Sequence, residues 1–129
     1  MILLHDPLRT WHLAEGDAYM THSIERGQFD PGARPPGIER PKAVADLAPG
    51  FERVHREAVE RVRKLKPEDL DRTISFFTMG PIPIRDILWN MVLLHGVHHR
   101  GQLVLMCRLA GGRPTGVFGP TREEMPARA

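Results

Sequence analysis

The chain has 129 residues, room for one domain with a hydrophobic core and too short for two. Its net charge is only +2, and Arg and Glu alternate, as in Glu52-Arg53 and Glu60-Arg61, which is the pattern of a solvated helix face and not of a phosphate-binding stripe; no nucleic-acid partner is expected. No apolar run reaches the roughly 20 residues of a membrane helix, no signal peptide opens the chain, and the lone Cys107 cannot close an internal disulfide, so a cytoplasmic protein without membrane association is expected.

Asp6-Pro7 reads as an N-cap followed by proline at the first helical position, and the pattern predicts a helix over 7–26 ended by Gly27. Its expected inward face, Leu8, Trp11, His12, Glu15, Tyr19 and His22, is unusually polar. The Pro- and Gly-rich stretch 28–41 predicts a surface loop. A second helix is expected over 42–66, kinked or interrupted at Pro49-Gly50, with Phe51, Val54, Ala58, Val62 and Leu65 at helical spacing. Thr73 to Ile84 is β-prone but broken by Gly80, Pro81 and Pro83, and predicts an extended connection and not a sheet strand.

The third helix is expected over 83–110, with Ile84, Leu88, Met91, His95, His99, Gln102 and Met106 on its inward stripe and Ile87, Leu94, Leu105 and Leu109 beside it. Gly111-Gly112 is its expected cap. The tail 111–129 predicts irregular structure, with Val117 and Phe118 folded back onto the helices. The fold class is therefore all-α, a helical bundle of three long helices with irregular connections.

His95 and His99 are four residues apart, so on a helix they point the same way one turn apart. With seven histidines in the chain, such spacing also arises by chance. Position adds weight: both rings fall on a core-facing stripe, where an unpaired imidazole nitrogen is costly. His12 offers a third ring from the first helix. Three neutral imidazoles from two helices can bind a divalent ion and leave a position open for water or substrate, as a catalytic site requires. His98, about 100° around the helix from His99, reads as a surface group or a support for the ligands. His5, His22 and His55 read as solvated. Glu15 has two readings, ligand orienter or general base on one hand and surface carboxylate on the other. Gln102 is placed to bond a metal-bound water; Arg100 reads either as an anion clamp or as a helix-surface ion pair. Cys107 reads as a small buried hydrophobe, and Trp11, Tyr19 and Trp89 as core packing.

The runs Ile84 to Asn90, His95 to Gln102, Arg108-Leu109-Ala110-Gly111-Gly112 and Val117-Phe118-Gly119-Pro120, with Trp11-His12-Leu13-Ala14-Glu15, resemble the DinB/YfiT-like superfamily. The resemblance spans Pro7 to Pro120 and implies a four-helix-bundle fold, frequent homodimerisation and a divalent metal, zinc or nickel, between His12, His95 and His99. It aligns the segment 7–26 with the family's second helix, leaving the first without a counterpart, so a homodimer covering the exposed apolar face is expected. The resemblance also implies a small-molecule substrate and metal-dependent chemistry, either transfer of a low-molecular-weight thiol such as bacillithiol or mycothiol, or hydrolysis. Glu15 and His98 are then candidate proton carriers, and Gln102 and Arg100 candidate substrate contacts. A non-catalytic metal-binding protein and a dimeric interaction module are the competing expectations.

Overall fold

Helix α1, Pro7–Arg26, begins the computed structural model of the chain, in which residues 7–117 and 119–125 are described, with side chains from Trp11 onward. The expected cap Asp6, His5, the Leu8 side chain and Phe118 lie outside the described residues. At the C-terminus of α1 the amide of Gln28 donates to the Ser23 carbonyl at 3.0 Å and that of Gly27 to the Ile24 carbonyl at 3.1 Å, with Gly27 at φ 73°. This is the glycine-terminated Schellman arrangement, and Gly111, at φ 81°, closes the last helix in the same way.

Helix α2 runs Leu47–Arg63, after a 3₁₀ turn at Val44–Asp46. The expected earlier start and the kink at Pro49-Gly50 are absent. Pro49 falls in the first turn, where its missing N–H deprives the helix of nothing. Trp11, Ala14 and Ala18 of α1 pack against Leu47 and Val54 of α2. The alanines bring the two backbones close, and Gly50 clears space for the indole, since a Cβ there would sit 3.1 Å from two of its ring carbons. The Trp11 Nε1–H donates to the Ile38 carbonyl at 2.8 Å, which ties the 28–41 loop to the core. The α1 face thus differs from the expected one: Trp11, Ala14, Ala18, Thr21 and Ile24 are buried, whereas His12 is exposed and Glu15, Tyr19 and His22 are half-buried. The small residues, and not the polar stripe, face α2.

A 3₁₀ turn, Pro67–Asp71, follows α2, and its start is held by the Lys66 amide donating to Asp69 Oδ2 at 2.9 Å. The segment expected to be only extended forms a two-stranded antiparallel hairpin, β1 Thr73–Ser75 with β2 Pro81–Pro83. The prolines that argued against a strand are accommodated by register. Phe76 N–H donates to the Gly80 carbonyl and Ile84 N–H to the Arg72 carbonyl, two-residue steps either side of the Ile74–Ile82 pair. Pro81 and Pro83 therefore occupy the alternate positions, whose N–H groups would not point at the partner strand.

Pro83 then leads into a single helical rod of three parts: α3 Ile84–Ile87, a π-helical stretch Leu88–Leu94, and α4 His95–Leu109. Ile84 and Ile87 are buried with Ile24 and Ile74 and anchor the rod. Beyond Ile87 none of its side chains is fully buried, and Trp89 (59%), Leu105 (58%) and Leu109 (63%) are largely exposed. The tail is fastened to α4 by charge: Arg108 donates to both Glu123 oxygens at 2.9 and 2.8 Å, while Val117, expected to fold back, is exposed. Among the described residues the chain is thus mostly helical, with three long helices and one small hairpin. Among the described residues, no helix is long and apolar enough to cross a membrane.

Candidate metal centre

The π-helical stretch feeds directly into His95, the first residue of α4, so the register of both α4 histidines is set by that wider turn. Such turns recur at functional sites because they re-aim the side chains that follow. Across from them, His12 projects from α1. The three rings converge: His95 Nε2 lies 3.2 Å from His12 Nε2 and 3.0 Å from His99 Nε2. One ligand atom from each ring lies within 4.8 Å of the other two. In a tetrahedral site with metal–nitrogen bonds near 2.0–2.1 Å, neighbouring nitrogens stand about 3.3 Å apart, and at right-angled positions about 3.0 Å. The two spacings at His95 lie in the range that a divalent cation requires of neighbouring ligands.

Proton placement strengthens the fit. His99 Nδ1–H donates to Gln102 Oε1 at 2.8 Å, which leaves its Nε2 as a bare lone pair facing His95. One proton on His95 Nε2 can bridge to one neighbour, not to both. A further charge is discouraged, because burial first, then the adjacent His99 and His12, hold His95 below its ordinary pKa. Neutral imidazoles with converging lone pairs are the ligating form. Among the described residues no carboxylate or thiolate joins the three rings, so such a site keeps positions open.

Two contributors had no signal in the sequence. Gly16 lies one turn after His12, and a Cβ there would stand 3.3 Å from His95 Cε1 and 3.6 Å from its Nδ1. The missing side chain is the space into which the His95 ring fits. Asp17, buried beside it, bonds His55 Nδ1 at 2.7 Å; burial raises its pKa and the His55 contact opposes that rise. His55, expected to be solvated, is half-exposed, but it is the partner that a buried carboxylate requires. A glycine and an aspartate on a polar helix face carry no pattern that distinguishes them from surface residues.

The other expected site residues lie outside the converging ligand atoms, two of them in contact with His99. Gln102 is exposed, and its carbonyl oxygen accepts from His99, so it orients that ring. His98 is exposed and stacks edge-on against His99, with ring centroids 5.1 Å apart. Glu15 is half-buried on α1, outside the converging cluster, and Arg100 is exposed on α4. His22, expected to be solvated, is half-buried, and its Nε2 has no hydrogen-bond partner. Cys107 is only half-buried and lies two turns beyond His99, away from the cluster.

No curated protein and no solved structure matched the chain. The family model of the DinB superfamily matches residues 8–103, a span that includes all three converging histidines. It covers well over half of the 129 residues, and the chain belongs to the DinB superfamily.

Proposed function

We propose that this protein is a metal-dependent enzyme whose three-histidine centre activates a nucleophile, a low-molecular-weight thiol or water, against a small electrophilic substrate. The observation that carries this reading is the convergence of His12, His95 and His99 without a fourth side-chain ligand among the described residues. A divalent cation bound there, zinc or nickel, lowers the pKa of a coordinated thiol or water and so supplies a nucleophile near neutral pH. Gln102 fixes the tautomer and ring plane of His99. Gly16 seats His95. Glu15, three residues past His12 and half-buried, is the nearest carboxylate in sequence to take a proton, and His98 at the rim can pass one to solvent. Arg100 offers a cationic group on the same helix for an anionic substrate group. The competing reading, a metal-binding protein without catalysis, draws support from the exposure of His12, since a catalytic centre profits from excluding water.

Elemental analysis of the native protein tests the metal. About one equivalent of zinc or nickel is expected, with little in His95→Ala and His99→Ala; absence of metal from the native protein, or as much metal in the variants as in the native protein, rejects the reading. Bacillithiol or mycothiol with monochlorobimane then tests catalysis. Metal-dependent turnover supports the transferase, and no turnover with thiol or water as nucleophile supports the non-catalytic alternative.

We also propose that the outer face of the rod, with Trp89, Leu105 and Leu109 exposed, pairs with a second copy of the chain. A monodisperse monomer by light scattering at micromolar concentration rejects this.

A further inference from the structure

At the other end of α1 from the histidines, the last turns of α1 and α2 and the residue leading into β1 enclose a cavity of about 180 Å³. From His12 to Ile24 the helix rises ~18 Å, so this cavity is separate from the candidate metal centre. Its wall carries three cationic side chains, Arg61, Lys64 and Arg72, against one carboxylate, Glu25; Arg72 Nε also meets Asp69 Oδ1 at 3.3 Å, outside the lining, which leaves the rest of its guanidinium for the cavity. The remaining lining includes Ile24 and Leu65, which keep one side apolar and strengthen any charge interaction within.

Arg61 is the least exposed of the three cations. Its side chain is only 15% exposed, yet its carboxylate contact, to Glu57 Oε2, is 3.8 Å long. That exceeds the 2.7–2.9 Å of a charge-assisted hydrogen bond. Glu57 is itself bonded to Arg53 at 3.1 Å and does not line the cavity. The other contact of Arg61 is a 3.3 Å bond to Thr21 Oγ1, whose own proton is committed to the Asp17 carbonyl at 2.7 Å. A guanidinium has five N–H donors, and a largely buried one without a close anion is costly. Glu25 does not supply the missing charge: its oxygens are 3.8 Å from His22 Nδ1 and 3.9 Å from Lys64 Nζ. On the same turn of α1 as Thr21, the buried His22 Nε2 has no hydrogen-bond partner.

We infer that this cavity is a binding site for a phosphate-sized oxyanion, free or carried on a small molecule, held by Arg61 with Lys64 and Arg72. The cavity is smaller than the 300 Å³ or more typical of larger organic ligands and suits a single tetrahedral group. A phosphate, with several acceptor oxygens and more than one charge, matches a wall carrying three cationic groups better than a carboxylate does.

Isothermal titration of inorganic phosphate into metal-stripped protein at fixed ionic strength tests the site. Saturable one-to-one binding is expected, at least 10-fold weaker in Arg61→Gln and several-fold weaker in Arg72→Gln, and unchanged in Arg56→Gln on the exposed face of α2. If Arg61→Gln fails to fold, the exposed Arg72 variant carries the test. Phenyl phosphate as a second titrant separates the sources: tighter binding than inorganic phosphate assigns the site to a phosphorylated small molecule, and equal or weaker binding assigns it to the free anion. No saturable binding, affinity in Arg61→Gln and Arg72→Gln equal to the parent's, or binding that appears only with restored metal and disappears in His95→Ala overturns the inference.

Discussion

Helices α1 and α2 are joined by burial, whereas α4 meets α1 largely through polar rings. Between α1 and α2, Trp11, Ala14, Ala18, Leu47 and Val54 are almost wholly removed from water. From Leu88 to Leu109 no side chain reaches that state, and the rod is positioned by its buried root at Ile84 and Ile87. The candidate metal centre bridges these two unequal halves, with one imidazole on the firmly packed α1 and two on the lightly covered α4. Apolar burial stabilises one contact in the absence of any ligand; the other consists of nitrogens that a shared cation would join. A metal here would act as a strut as well as a reagent.

The contrast can be broken most severely at Trp11. Trp11→Ala removes the indole from the α1–α2 interface and its bond to Ile38, and should cost about 3–5 kcal/mol in urea unfolding of the metal-free protein. His95→Ala should do the reverse, weakening zinc binding by about 100-fold or more in calorimetry while leaving metal-free stability nearly unchanged. If it unfolds the protein as Trp11→Ala does, the two contacts are not different in kind. Gln102→Ala frees the His99 ring and should weaken metal binding by about 10-fold, read in the same titration. Trp89→Ala, at an exposed site on the rod, should change the unfolding free energy of the monomer by no more than about 0.5 kcal/mol while reducing the dimer fraction in light scattering.

The smallest effect is expected at Glu123. Its contact with Arg108 depresses the folded-state pKa from 4.5 to about 2. A depressed carboxylate pKa contributes stability above the unfolded value, and the contribution fades as pH falls from about 4.5 through 2. The melting temperatures of the parent protein and Glu123→Gln should therefore differ slightly at pH 7 and converge as pH falls through about 2. The pair is solvent-exposed, and a difference as large as that for Trp11→Ala would contradict the placement of the tail.

Residues close in sequence made much of the fold legible. Pro7 and Gly27 bracket α1, and the i, i+4 spacing of His95 and His99 places both rings on one side of α4, because each depends only on local backbone geometry. The hairpin was hidden, because a proline is compatible with a strand only at alternate positions, and which positions those are depends on pairing with residues six to ten places earlier. The buried face of α1 was misread for a related reason: its polar and small residues give a weak periodic signal, and the choice between them was made by the approach of α2.

The amino-acid order alone determined three helices, the capping glycines and a pair of imidazoles on one helix face, since turn chemistry and helical period act over a few residues. Tertiary structure decided that His12 completes the pair, that Gly16 rather than a larger residue lies beneath His95, and that a π-helical turn sets the ring register. Those outcomes depend on how far apart two helices stand and how each is rotated. Both are properties of packed side chains from distant parts of the chain, and no local pattern encodes them.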